Sequence, residues 1–257
     1  MIKTTIHIFK KELKHYIYSP IAYVVATVFH GLVGYFFYNS VILYTTRVMN
    51  ASLSGSEIQG MAFTPTTVIF QGMARSMGTI FVLIVPLITM RLVAEEKRQR
   101  TMELFFTSPV STLSMVLGKY LAALFVYMVV ILGTLYMPFL LDMFSDVNWS
   151  HVAVAYLGLF LLGAAMVSVG VFASSVTEKQ VVSAVMAIGL LVIFWFVGGG
   201  IGAASQRITT FLRDVSMYAP FENMMRGLLD LRDVLVLVSY AVFMLFLSIR
   251  AIEWSRL

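Results

Sequence analysis

The sequence contains no cysteine, which excludes disulfides, thiolate metal sites and cysteine nucleophiles. Charge is scarce. Asp, Glu, Lys and Arg together make up 12% of the 257 residues, about half the share of an average soluble domain. The hydrophobic share is 60% and the mean hydropathy is +0.89. A soluble globular chain of this length has no interior large enough for that much apolar side chain. A soluble enzyme, a nucleic-acid module and a disordered chain are therefore disfavoured. Motifs for chemistry are missing as well. No G-x-x-x-x-G-K-[ST] occurs, because Gly118-Lys119 lacks both the upstream glycine and a following Ser or Thr. His7, His15, His30 and His151 are scattered, with no H-E-x-x-H and no G-x-S-x-G. No residue is assigned a catalytic, cofactor-binding or metal-binding role. His30 reads as a packed histidine with its polarity satisfied. The net charge of +5 is too small to argue for nucleic acid and fits the loops of a membrane chain.

What the sequence does have is long apolar runs. A bilayer core about 30 Å thick needs about 20 apolar residues at 1.5 Å each. Six stretches qualify: Ile21–Tyr44, Met77–Met90, Tyr120–Leu141, Val152–Val176, Val181–Ser205 and Val234–Ile249. The second and sixth are short. Span two is expected to extend past Arg75 or Arg91, and span six to run on to Ile252 or Trp254. Pro86 and Pro138 are expected to bend or end their helices. The lengths suit helices, not barrel strands. With the N-terminus inside, twelve of the eighteen Lys and Arg lie in inside segments, including Lys119 as a loop residue. That bias predicts an inner-membrane protein with both termini cytoplasmic. The first span reads as uncleaved, and one membrane domain covers residues 1–257.

Three segments are not spans. In Met1–Ser19, Ile2, Ile6, Phe9, Leu13 and Tyr16 recur at helical spacing, with Lys3, His7, Lys10 and Lys14 on another face. This predicts a basic amphipathic helix on the membrane surface, ended by Ser19-Pro20. The second segment holds three acids and three Lys or Arg between Glu95 and Glu103. A helix is expected from Arg91 to Thr107, with an i,i+4 Glu96–Arg100 pair, a stop at Ser108-Pro109, and Ser111 capping the next helix. The third segment, Gly202–Asp233, has zero net charge and many apolar residues. Short helices dipping back into the membrane fit it, with Arg226 and Asp230 paired. Gly170-x-x-x-Ser174 and Gly198-Gly199-Gly200 with Gly202 offer packing seams. The interiors of the spans carry no acid and no lysine, unlike many ion-coupled carriers. Energy for any uphill transport is expected to enter through the exposed helix at Glu95–Thr107.

Three stretches resemble the membrane subunits of ABC-2-type transporters, most nearly the gliding-motility and copper-maturation (nitrous oxide reductase assembly) permeases. They are KKELKHYIYSPIAYVV at Lys10–Val25, EEKRQRTMELFFTSPVS at Glu95–Ser111, and APFENMMRGLLDLRDVLVLVSYAVFMLFLSIRAIEWSR at Ala219–Arg256. The middle one is similar to the family's E-E-K-R-x-x-G-T-x-E-x-L-x-x-S-P-V segment, except that Arg100 stands where the glycine belongs. The resemblance implies an all-α membrane fold: an N-terminal interfacial helix at residues 1–19, six transmembrane helices, a coupling helix at 95–107 between spans two and three, and re-entrant helices at 203–233. It implies the permease subunit of an ATP-driven exporter, with no enzymatic activity of its own. Its partners would be an ABC ATP-binding subunit, a second permease copy, identical or not, and membrane lipid. ATP and Mg would bind the ATPase, leaving this chain without a cofactor. Glu95, Glu96, Lys97, Arg98, Thr101 and Glu103 would engage the ATPase. Pro220, Phe221, Gly227, Asp230, Arg232 and Asp233 would shape the outer gate. The alternative is a membrane scaffold that anchors the ATPase for a motility or envelope machine without moving a substrate. The apolar spans favour lipid-like, peptide or hydrophobic cargo.

Overall fold

The structure is a computed structural model that describes residues 2–53, 64–102, 111–197 and 215–254. Among the described residues it is helical throughout, with no strand. The helices are α1 (Ile2–Ile17), α2 (Pro20–Leu53), α3 (Gln71–Thr89), α4 (Ala94–Arg98), α5 (Thr112–Leu132), α6 (Tyr136–Asp142), α7 (Trp149–Val176), α8 (Gln180–Phe196), α9 (Tyr218–Met225) and α10 (Leu231–Trp254). A wide π turn, Thr66–Phe70, leads into α3.

Among the described residues, five helical stretches are long and apolar enough to cross a bilayer: Pro20–Leu53, Thr66–Arg98, Thr112–Asp142, Trp149–Val176 and Leu231–Trp254. The chain is thus a multi-pass integral membrane protein. The stretch expected as span five, Val181–Ser205, gives α8, an apolar helix of 17 residues. Residues 198–214, with the Gly198–Gly200 cluster and Gly202, lie outside the described residues. Span two extends past Arg75 and span six reaches Trp254.

The ends of these helices follow from local chemistry. Ser19 separates α1 from α2, and Pro20 opens α2, where its missing N–H costs nothing. Ser111 caps α5 by accepting from the Ser114 amide at 3.3 Å. The third span breaks at Gly133–Leu135. Pro138 cannot donate to the Thr134 carbonyl, which takes the Met137 amide instead, at 3.0 Å. Pro86 does not end α3, which continues to Thr89. The first helix also outlasts the expected Tyr44. At 34 residues α2 is about 51 Å long, well beyond a hydrocarbon core of about 30 Å. No breaker follows Tyr44, and the Ser40, Thr45 and Ser52 hydroxyls bond back to carbonyls of their own helix.

The bundle is organised around α7, which packs against α3, α5, α8, α9 and α10. Two glycines set how closely. A Cβ on Gly170 would stand 2.1 Å from the Thr89 hydroxyl of α3, and one on Gly163 would stand 1.8 Å from the Tyr127 ring of α5. The Gly170-x-x-x-Ser174 seam is therefore an internal one. Tyr127 is fully buried and donates its hydroxyl to the Leu159 carbonyl at 2.8 Å, so its ring has little room to retreat. Gly163→Ala is expected to destabilise the fold by roughly 1–3 kcal/mol, near the upper end. Thermal unfolding in detergent checks this; an unchanged melting temperature would rule out the close approach. By contrast α2 is peripheral. Only Phe29 and Val33 are buried in it, with Phe29 stacked on Phe81 at 4.5 Å.

The helix expected within Met1–Ser19 is α1, and only one stripe of it is turned to the protein. The stripe against the protein is Ile8, Glu12 and Tyr16, while Ile2 and Ile6 are exposed. The cause is Gly118 of α5. Its bare backbone admits α1 so closely that a Cβ there would sit 2.9 Å from Ile8 Cβ and 3.0 Å from the Thr5 carbonyl. The apolar side chains left outside this contact face the surroundings of the bundle.

Candidate functional site

Both ends of the bundle carry polar constructions. At one end, α1, the turn after α3, and α5 meet around Lys119. This lysine is not a loop residue as expected. It lies within α5, with its side chain 1% exposed. Its ammonium reaches Glu12 Oε1 at 2.8 Å, Glu96 Oε1 at 3.0 Å and the Leu92 carbonyl at 2.5 Å. Those acceptors belong to two separate stretches of chain, α1 and the segment after α3, and α5 supplies the lysine. A buried cation needs such partners, since each charge removed from water costs several kcal/mol. Lys11 adds a more exposed contact to Glu96 at 3.3 Å. Glu96 Oε2 is buried and receives no hydrogen bond from the described residues.

The segment bearing Glu96 is anchored from behind by α7. Ser174 accepts from the Val93 and Ala94 amides, both at 3.0 Å, and donates to the Met90 carbonyl at 3.1 Å. The hydroxyl thereby caps α4 from another helix, at the bend where the chain leaves α3. Lys97 donates to the Ser175 carbonyl at 2.6 Å. Tyr16 donates to the Ile88 carbonyl at 2.8 Å. Burial, and then the Glu12 carboxylate, push its phenol well above the usual tyrosine range, so it remains a donor.

The helix expected over Arg91–Thr107 stops at Arg98. Arg100 adopts φ 56°, the only positive φ at a non-glycine residue among those described. The Thr101 amide bonds the Glu96 carbonyl at 3.1 Å, and the Arg100 amide bonds the Lys97 carbonyl at 3.1 Å. This is a Schellman closure with arginine in the place that glycine favours. It also explains why Glu96 and Arg100 do not pair: the helix has turned before Arg100, and Lys119 holds the carboxylate. Arg100→Gly is expected to stabilise the chain by about 0.5–1 kcal/mol, and Arg100→Val to destabilise it by more than about 1 kcal/mol. Thermal melts of the two variants test this; equal shifts would contradict the left-handed turn.

The residues singled out from the sequence thus divide. Glu96 and Lys97 point inward as anchors, and Thr101 locks the turn through its hydroxyl, 3.2 Å from the Glu96 carbonyl. Glu95 is half-buried and Arg98 is exposed. Glu103, and the rest of 103–107, lie outside the described residues. Sequence reasoning missed Glu12, Lys119 and Ser174. A signal was present for two of them: Glu12 is the single acid in a basic helix, and Lys119 is the single charge in α5.

At the opposite end, α9 is a short helix lodged against α3, α7, α8 and α10. Phe221 is fully buried; its ring lies 5.9 Å from that of Trp195 and fills the space that a Cβ on Gly78 would take. Pro220 is buried beside it. Glu222 joins Arg75 at 3.3 Å and Arg226 at 3.0 Å. The expected Arg226–Asp230 pair is not made, because Gly227, at φ 78°, ends the helix between them. A Cβ on Gly227 would stand 2.7 Å from His151 Nδ1. His151 donates Nε2–H to the Met225 carbonyl at 2.7 Å. Asp233 is buried and accepts from Asn223 at 3.0 Å. Asp230 and Arg232 are exposed, and the Asp230 carboxylate caps the Arg232 amide at 3.1 Å. Pro220, Phe221, Gly227 and Asp233 therefore form one packed unit, and Asp230 and Arg232 its rim. Residues 203–214 of the expected re-entrant region lie outside the described residues. Within the first span, His30 Nδ1 meets the Ala26 carbonyl of its own helix at 2.8 Å.

Residues 39–253 match the family model described as "ABC-2 family transporter protein". That match takes in both constructions except for α1, which supplies Glu12. No curated protein matches the chain.

Proposed function

The chain belongs to the ABC-2 family of transporter proteins, and from this we propose that it is the permease of an ATP-driven exporter, worked by a separate ATPase at its Lys119 end. Membership makes it a membrane subunit of an ABC transporter and not the catalytic one. One observation carries the finer reading. Three stretches separate in sequence are fastened into a single unit by Lys119, and that unit exposes Arg98, and Glu95 in part. A push on those two side chains reaches α1, the end of α3 and α5 together. Packed proteins transmit displacement in this way because they deform little.

On this reading Glu95, Arg98 and Glu103 meet the ATPase, while Glu96, Lys97 and Thr101 hold the segment that presents them. ATP and Mg belong to the ATPase. The Lys119 end is cytoplasmic, in keeping with the excess of Lys and Arg on that side. The α8 helix is the fifth of six spans, and its 17 residues are at the short limit for crossing. The packed unit around Phe221, with α9 turned back into the bundle, forms the outer gate. A second permease copy completes the path. The likeness of Lys10–Val25, Glu95–Ser111 and Ala219–Arg256 to the gliding-motility and copper-maturation permeases supports a place in that branch.

Affinity purification of the tagged chain from native membranes is the test. An ABC ATPase is expected to come down with it and to hydrolyse ATP. Recovery of the chain without any nucleotide-binding subunit, under conditions that keep it folded, would overturn the reading.

A further inference from the structure

We propose that the chain holds an anionic phospholipid at the junction of α1, α2 and α3, with the headgroup phosphate between Arg91 and Lys14 and one acyl chain along Ile21, Val25, Leu87 and Ile88. The inference rests on the membrane placement of α2 and α3 and not on the ATPase reading.

Two hollows meet at this point. One is a polar cleft of about 470 Å³, whose lining includes Lys11, Lys14, His15 and Arg91 together with Glu12, Glu95 and Glu96. The second is a small surface groove of about 10 Å³ between α2 and α3, along which an acyl chain would lie and not be enclosed; Ile21, Ala22, Val25, Leu87 and Ile88 line it. Tyr16 and Arg91 belong to both. Arg91 thus stands where the polar cleft meets an apolar groove, a junction suited to an amphiphile with a negative head.

Charge complementarity selects the head. Glu12 and Glu96 are already engaged by Lys119, and Lys11 also reaches Glu96. Arg91 makes no ion pair with any described residue; its guanidinium lies over the Tyr16 ring, 5.4 Å from the centroid. Lys14 makes none either and lies over Tyr18 at 5.9 Å. Both cations lie over aromatic rings and face no carboxylate among the described residues, which leaves their N–H groups for an anion. Glu95 is the remaining acid of the cleft, and it accepts from Gln99 at 3.3 Å. Guanidinium and ammonium groups bind phosphate by short charge-assisted hydrogen bonds. The depth also fits. Pro20 begins α2 and Thr89 ends α3, so Arg91 and Lys14 sit where two spans leave the hydrocarbon and lipid phosphates lie. Ile21 and Leu87 are 48% and 40% exposed, leaving the groove open to an acyl chain.

The test uses the purified chain in detergent, with bound lipid counted by native mass spectrometry and stability read by thermal melting. Phosphatidylglycerol is expected to bind and to raise the melting temperature, and phosphatidylcholine to do neither. Arg91→Gln/Lys14→Gln should weaken phosphatidylglycerol binding about tenfold or more, a loss of about 1.4 kcal/mol. Lys3→Gln/Lys10→Gln removes the same net charge elsewhere on α1 and should leave it intact. Val25→Trp should weaken binding by filling the groove, with both cations in place. Three results would each overturn the proposal: equal binding of the two lipids, equal losses from the two double variants, or a full stabilisation by glycerol phosphate alone, which would mark a free-anion site.

Discussion

Lys119→Met is expected to be the most damaging single substitution in the chain, lowering stability by about 3–5 kcal/mol and the melting temperature by on the order of 10 °C. Methionine nearly matches the volume and apolar stem of lysine, so packing changes little. What goes is the charge. Glu12 and Glu96, with side chains only 10% and 12% exposed, would then confront each other with no cation between them. Lys11 cannot replace it, because it is 63% exposed and reaches Glu96 from outside. The comparison that isolates this cause is Lys119→Met/Glu12→Gln/Glu96→Gln. Neutralising the orphaned acids should recover most of the loss, since buried ion clusters replaced as a whole often cost little. Melting of the single and triple variants decides the matter. A single variant within a degree or two of wild type, or a triple variant as unstable as the single, would remove the charged cluster from its place in the architecture.

The second large effect concerns half-buried Glu95 and exposed Arg98. Glu95→Arg/Arg98→Glu is expected to cut recovery of the ATPase by at least tenfold while leaving the melting temperature unchanged. Neither side chain belongs to the Lys119 cluster, and Arg98 is exposed. Reversing both keeps the net charge and sets like charges against whatever complements them, which costs several kcal/mol across an interface. Reversal of Glu96 is a different experiment. It would strike the cluster and report on folding, although the two glutamates are adjacent in sequence. Undiminished recovery of an active ATPase by the Glu95/Arg98 variant would show that the partner docks elsewhere.

Much of this molecule was legible in its sequence, and the remainder was hidden for identifiable reasons. Five of the six expected spans follow from apolar runs, and the helix break at Ser19-Pro20 and the helix start at Ser111 follow from local backbone chemistry. These depend on neighbours within a few residues. The Lys119 cluster depends on contacts 107 residues apart, between Lys119 and Glu12. Its only sequence trace was a misplaced charge in each of two helices. Which stripe of α1 meets the bundle was not legible, because Gly118, on a different helix, decides it. The interruption of the helix expected over 91–107 was hidden because the break is made by the backbone of Arg100, a residue whose side chain favours helix. That break stood at the position where the sequence departs from the E-E-K-R-x-x-G-T pattern. At the opposite end, Pro220 and Phe221 were placed together on the strength of resemblance. The structure shows why they belong together: Gly78 and Trp195 leave a space that Phe221 fills.

The central claim is that the Lys119 end of the bundle faces the compartment where ATP is available. The absence of cysteine makes it directly measurable. Arg98 and Asp146 are both exposed, at opposite ends of the bundle, and each can carry a single introduced thiol. With a membrane-impermeant maleimide on intact cells, Asp146→Cys is predicted to label at once and Arg98→Cys only after the membrane is opened. Labelling of Arg98→Cys in sealed cells, with Asp146→Cys protected, would place the charged end outside and contradict the account.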